Sequence, residues 1–187
     1  MKNRRAGFTL VELMITVALI GVLGLAFTPG LLAFVPKARA DRAARGLAGE
    51  VQLARMRAVS TNRLHHVIFD SAGGTVTIQE EVNNGRATVK TISLASEYPS
   101  VSLDFNSVTA PDGSGAVNRA VAFGTGASTE VVFLPSGLAR ASGFFYVLPT
   151  ADKDKRNERM RAVQVTLPGQ VVQYRYKAGA TPPWEEF

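Results

Sequence analysis

The chain has 187 residues, 46% of them apolar, with no cysteine and a formal net charge of +6, which suits one compact domain carrying an appended hydrophobic element. The lack of cysteine excludes a disulfide framework and a thiolate metal site, and leaves the compartment unread from redox chemistry. The positive charge is uneven: Lys2, Arg4 and Arg5 open the chain, seven basic residues face Asp41 and Glu50 between Lys37 and Arg63, the stretch from Leu64 to Ala151 is net acidic, and Asp152 to Lys177 is basic again.

From Phe8 to Val35 the chain is almost wholly apolar, and at 1.5 Å per residue the part before Pro36 is long enough for a hydrocarbon core of roughly 30 Å. It exceeds the apolar core of a cleaved secretory signal, about 7 to 15 residues, although Ala38-Arg39-Ala40 offers a small-residue site at which ordinary cleavage would follow Ala40. Glu12 speaks against that alternative. An acid inside an apolar helix costs roughly 2.5 to 3.5 kcal/mol at the membrane centre, less near its edge, and calls for a partner. Cleavage after Gly7 would create an ammonium at Phe8, one helical turn away. In a bundle of parallel copies a staggered neighbour would supply the same ammonium and so set axial register.

Lys2-Asn3-Arg4-Arg5-Ala6-Gly7 followed by Phe8-Thr9-Leu10-Val11-Glu12-Leu13 resembles the class III leader of type IV pilins and type II secretion pseudopilins. The resemblance implies that a membrane prepilin peptidase cuts between Gly7 and Phe8 and N-methylates Phe8, and that Glu12 is the assembly glutamate, fifth after the cut. Pro29 matches the family's helix-bending proline. Independently, a proline removes one amide donor and crowds the preceding turn, so a kink or melted turn is expected there. Counting charges alone leaves orientation open, because Lys37, Arg39, Arg42 and Arg45 rival the leader cations under the positive-inside rule; the leader motif implies a cytoplasmic amino terminus in the bacterial inner membrane and a single-pass chain with a periplasmic carboxyl-terminal domain.

After Pro36, Ala44, Leu47, Val51, Ala54 and Ala58 recur at helical spacing, giving an amphipathic continuation of the helix over 36–63 whose alanines permit close approach to a sheet. Arg42, Arg45 and Arg55 are read as its solvated face. Beyond Leu64 the period becomes two, and nine strands are predicted: 64–70, 75–81, 86–94, 101–106, 117–124, 130–134, 144–148, 162–167 and 171–176. Gly73-Gly74, Asn83-Asn84-Gly85 and Tyr98-Pro99 punctuate the first four. Loops 109–116 and 151–157 stand out, the second charged enough to be exposed and mobile.

The fold class is therefore α+β and pilin-like: a long amino-terminal helix, transmembrane then amphipathic, packed on an antiparallel β-sheet or two-sheet domain. Residues 1–7 would be the cleaved leader, 8–35 the transmembrane and assembly helix, 36–63 its amphipathic continuation, and 64–187 a periplasmic β-rich domain. Val132-Phe133-Leu134-Pro135-Ser136-Gly137, Arg161-Ala162-Val163-Gln164-Val165 and Gly169 are similar to the GspH/FimT branch, which implies a minor pilin or minor pseudopilin whose partners are other subunits of a type IV pilus or type II secretion system, with secreted cargo a further implied partner.

No catalytic constellation emerges. His65 and His66 are neighbours on a strand and point to opposite faces, so they do not chelate one metal. No G-x-S-x-G elbow or phosphate-binding loop is present, Glu80-Glu81 and Asp152/Asp154 lack calcium-loop spacing, and no cofactor or metal is expected. DNA is the alternative partner. Some FimT-like minor pilins bind it through a Gly-Arg-x-Arg motif, but Gly169-Gln170-Val171-Val172 stands at that place and lacks both arginines. Arg159, Arg161, Arg175 and Lys177 are the remaining candidate phosphate contacts, although alternation puts Tyr174 and Tyr176 on the face opposite Arg175 and Lys177. A third alternative is a membrane-anchored β domain that never polymerises.

Overall fold

The computed structural model describes residues 8–83, 85–125 and 128–187, the side chains of 25–33 excepted. The chain divides into two units, 1–35 and 36–187, and helix α1 (Leu10–Thr61) contributes to both. Pro29 lies inside α1, which runs unbroken from Leu10 to Thr61, so the melted turn expected there as an alternative to a kink is not found. Among the described residues no helix is long and apolar enough to cross a membrane; the apolar stretch of the sequence continues into 25–33.

In the second unit the α1 stripe is as the spacing predicts: Ala44, Leu47, Val51, Ala54 and Ala58 are all fully buried, joined by Ala40, Ala43 and Ala48. Burying a side chain such as Leu47 or Val51 contributes about 1.5–3 kcal/mol, while the alanines let the helix backbone approach the sheets. Two antiparallel sheets meet this stripe. In the first, β3 (Gly85–Ser93), β2 (Thr75–Val82), β1 (His65–Asp70) and β6 (Glu130–Phe133) lie side by side in that order. The second runs β10 (Trp184–Glu186), β9 (Val171–Tyr176), β8 (Arg161–Val165), β7 (Gly143–Pro149) and β4 (Val101–Ser102), with β5 (Val121–Phe123) also paired to β7. Val67, Phe69, Ile78, Val131, Phe145 and Val163 from the inner faces close one core with the helix. Phe69 stacks on Phe123 and lies 4.7 Å from Phe145 between ring centres.

Strand β7 is buried on both faces, as its unbroken Phe144-Phe145-Tyr146-Val147-Leu148 run suits. Its outer face belongs to a second apolar cluster, where Phe144, Tyr146 and Leu148 meet Val108, Val117, Met160 and Trp184. The 109–116 loop is held onto this cluster, with Trp184 Nε1 donating to the Thr109 carbonyl at 2.6 Å.

Several expectations need correction. The predicted strand 101–106 stops at Ser102 and 117–124 is reduced to Val121–Phe123. Asp104 turns its side chain back to accept the Phe105 amide, which competes with ladder pairing, and Asn106 spends its side chain on the 152–157 segment. Predicted strand 86–94 gives way at Leu94 to a short helix, α2 (Leu94–Glu97). Ten strands are present among the described residues, because β10 follows Pro182-Pro183 and is too short to show a period. Loop 151–157, expected to be mobile, is fastened: Asn106 Nδ2 donates to the carbonyls of Asp152 and Arg156 and to Asn157 Oδ1, and Asn106 Oδ1 accepts the Asp154 amide. The glycine turn after Asp70 is as read, with Gly73 N–H bonded to Asp70 Oδ1; Asn84 of the next turn lies outside the described residues.

Candidate functional site at the head of the apolar helix

Gly7 lies outside the described residues; Phe8 is the first side chain described and is 80% exposed. Thr9 starts the helix. Its Oγ1 accepts the Glu12 amide at 3.2 Å, and its carbonyl accepts the Leu13 amide, the first helical bond. Thr9 is thus the N-cap and Glu12 the third helical residue, the T-x-x-E spacing of a capping box. A carboxylate in the first turn also complements the positive end of the helix dipole, worth about 0.3–1 kcal/mol. Thr16 Oγ1 bonds the Glu12 carbonyl one turn on. Glu12 therefore stabilises the helix start from a position one turn along from Phe8.

Behind this head the helix shows apolar side chains on every side. Leu10, Val11, Leu13, Met14, Ile15, Val17, Leu19, Ile20, Val22 and Leu23 are all more than half exposed. With about 100° between successive residues no polar face remains, and a helix apolar all round belongs in lipid or inside a bundle.

Residues 2–28 match the family model described as the prokaryotic N-terminal methylation motif. The fold is similar to two structures of the minor pseudopilin EpsH from the type 2 secretion system of Vibrio cholerae, each at 15% identity. Their TM-scores are 0.52 and 0.51, covering 73% and 72% of this chain and 96% and 94% of those. It is also similar to the type IV minor pilin FimU of Pseudomonas aeruginosa, at 14% identity and TM-score 0.50, covering 74% of this chain and 90% of that one. No curated protein sequence matches. The fold of this chain is pilin-like.

The pilin-like globular unit does not assemble the candidate DNA contacts into one open cationic face. Arg161 is fully buried, its Nε on Asp41 of α1 and its Nη1 on the carbonyls of Glu158 and Met160. Arg159 is paired with the buried Asp152 at 3.1 Å. Arg175 and Lys177 both face Glu185, at 3.5 and 3.4 Å, while Tyr174 and Tyr176 turn the other way into the second apolar cluster. Phe187 lies under the guanidinium groups of Arg45, Arg161 and Arg175, each 5.3 to 5.9 Å from its ring centre. Each of these cations thus meets a carboxylate or an aromatic face. His65 and His66 have separate partners, the Arg63 carbonyl for His65 and the Glu130 and Glu81 carboxylates for His66.

One group escaped the sequence reading. Arg55, read as solvated, is half-buried: its Nε donates to the Gly137 carbonyl at 2.8 Å and its Nη2 to the Pro168 carbonyl at 3.1 Å. Gly137 and Gly169 have φ of 80° and 79°. A Cβ on Gly169 would lie 2.6 Å from Arg55 Nε and closer still to the Gly137 carbonyl. The two spaced glycines that suggested the GspH/FimT branch are thus where two turns are tied to α1 by a single arginine. Their spacing was visible in the sequence, but the arginine that joins them was not.

Proposed function

We propose that this chain is a minor structural subunit of a type IV pilus or type II secretion pseudopilus, cut by prepilin peptidase between Gly7 and Phe8 and methylated at Phe8. The observation that carries the reading is the all-round apolar, exposed helix headed by Phe8-Thr9-Leu10-Val11-Glu12, on a chain with the pilin fold. Residues 1–7 are the leader, 8–35 the membrane and assembly helix, 36–63 its amphipathic continuation and 64–187 the periplasmic domain. The role is assembly with other pilin or pseudopilin subunits rather than catalysis. Before assembly the apolar helix is held in the inner membrane; in the filament it exchanges lipid for neighbouring helices. Glu12, costly among apolar side chains, then pairs with the Phe8 ammonium of a neighbour, and Pro29 eases helix packing.

The test is the mature amino terminus. Intact-mass and terminal-peptide analysis of the chain from cells containing prepilin peptidase is expected to show methylated Phe8 as the first residue. An uncut chain, or one beginning at Asp41, would overturn the reading. Glu12→Ala is expected to leave membrane insertion intact and abolish entry into filaments; unchanged entry would remove Glu12 as the register charge. The DNA alternative gains no support from cations already engaged, and gel shifts across a salt series measure it directly.

A further inference from the structure

Large apolar side chains exposed on the globular unit are gathered rather than scattered. Met56 (53%), Val59 (52%), Leu138 (48%) and Leu167 (56%) share one place, while Val89 (39%) stands on β3. The link between them is Arg55, which draws the turns carrying Gly137 and Pro168 onto the end of α1. A Cβ on Gly137 would lie 3.2 Å from Val59 Cγ2, Leu138 follows Gly137, and the Ala139 amide donates to the Leu167 carbonyl at 2.9 Å. Beside them Arg55, Met56, Val59 and Ser60 line a shallow hollow of about 340 Å³.

The chain segments that build the patch carry one sign of charge, and an acid, Glu186, lines a second hollow on the other side of Arg55. The three chain segments that build the patch, 51–63, 131–151 and 159–184, contain no Asp or Glu, and Arg57 and Arg140 stand next to Met56 and near Leu138. By contrast, residues 64–130 of the same unit hold seven acids against three basic residues. An apolar centre with a charged rim is the anatomy of a protein interface rather than of a lipid-facing surface.

We infer that this patch is a docking surface for the globular unit of an adjacent pilin-like subunit, one that presents apolar side chains edged by carboxylates. The inference rests on the filament reading and names the face used. Four half-exposed side chains offer about 350 Å², less than half of the roughly 800 Å² that each partner gives to a stable interface. The contact therefore needs a second anchorage, which the apolar helix supplies. Two basic rims repel, so the patch does not pair with itself; it meets a different face of its neighbour, and such head-to-tail contacts generate open helical arrays.

The experiment places a photo-crosslinking amino acid at Leu167, or at Val89 as control, in the full chain produced in its own cells. The adduct at Leu167 is expected to contain a pilin-like subunit, identified by mass spectrometry, and Val89 to give at most a tenth of it. Leu167→Asp is expected to lower the fraction of chain in filaments at least tenfold and Leu167→Lys less, because the partner's rim is acidic, with both variants unfolding at the parent midpoint. Adducts with lipid or unrelated proteins only, or filament entry of both variants at the parent level, would overturn the inference. If the parent chain itself never enters filaments, the filament reading fails first and the docking surface with it; if the parent enters and both variants match it, only the docking surface fails.

Discussion

Gly169→Ala tests the tie between α1 and the two turns. At φ 79° an alanine pays about 1–2 kcal/mol for the left-handed conformation. The new methyl also displaces the Arg55 guanidinium, whose two hydrogen bonds to the Gly137 and Pro168 carbonyls contribute about 1 kcal/mol each where partly exposed. The expected loss is about 3–4 kcal/mol, or about 10 °C in melting temperature for a unit of this size. Gly179, with φ 86° and nothing within 4 Å of a Cβ, is the internal control, and Gly179→Ala is expected to cost only about 1–2 kcal/mol, the backbone part. The assay is guanidinium unfolding of the detergent-solubilised full chain, followed by the fluorescence of Trp184, its single tryptophan. In an Arg55→Ala background the Gly169 substitution should lose only the part of its effect due to the displaced guanidinium, because the Gly137 carbonyl still crowds the new methyl. Equal losses for Gly169→Ala and Gly179→Ala would refute the argument.

Asp41→Ala leaves the fully buried Arg161 without its carboxylate and is expected to cost about 2–4 kcal/mol, more than Arg161→Met, which removes the charge itself; the reverse order in the same unfolding assay would be evidence against a buried pair. Asn106→Ala removes four hydrogen bonds to the 152–157 segment, so trypsin should cut first at Lys155 or Arg156 in the variant and not in the parent. Equal cleavage would mean that the segment is held otherwise. Burial raises the phenols of Tyr98, Tyr146 and Tyr174 above the usual value near 10. Because the folded form holds these protons more tightly, stability is undiminished below the unfolded pKa of about 10 and falls as pH rises above it. Absorbance at 295 nm should therefore show tyrosines that ionise above the usual range in the folded chain; four tyrosines titrating together near 10 would contradict this.

The helical stripe and most strands were legible because each is a local pattern: a period of 3.6 over Ala44 to Ala58, and β-branched runs bounded by glycine turns. Where side chains bond the main chain, the pattern misled. Asp104 bonds its own neighbour at the end of a predicted strand, and Asn106 reaches 46 to 51 residues along the chain to secure a loop whose charge had suggested motion. Arg55 looked solvated because periodicity says which way a residue points and nothing of which turn arrives there, 82 and 113 residues later.

By itself, the sequence determined the head of the chain. Gly7, Phe8 and Glu12, the apolar run and the alanine-rich stripe are adjacent or at helical spacing, so their chemistry needs no distant partner to be recognised. Tertiary structure alone decided the rest: that Arg161, Arg159, Arg175 and Lys177 each meet a carboxylate, that a second apolar cluster lies outside the second sheet, and that Met56, Val59, Leu138 and Leu167 meet at one surface. These depend on strand register and on which turns reach the helix, and the free energy that selects them is the burial of a shared core rather than any local preference of the chain.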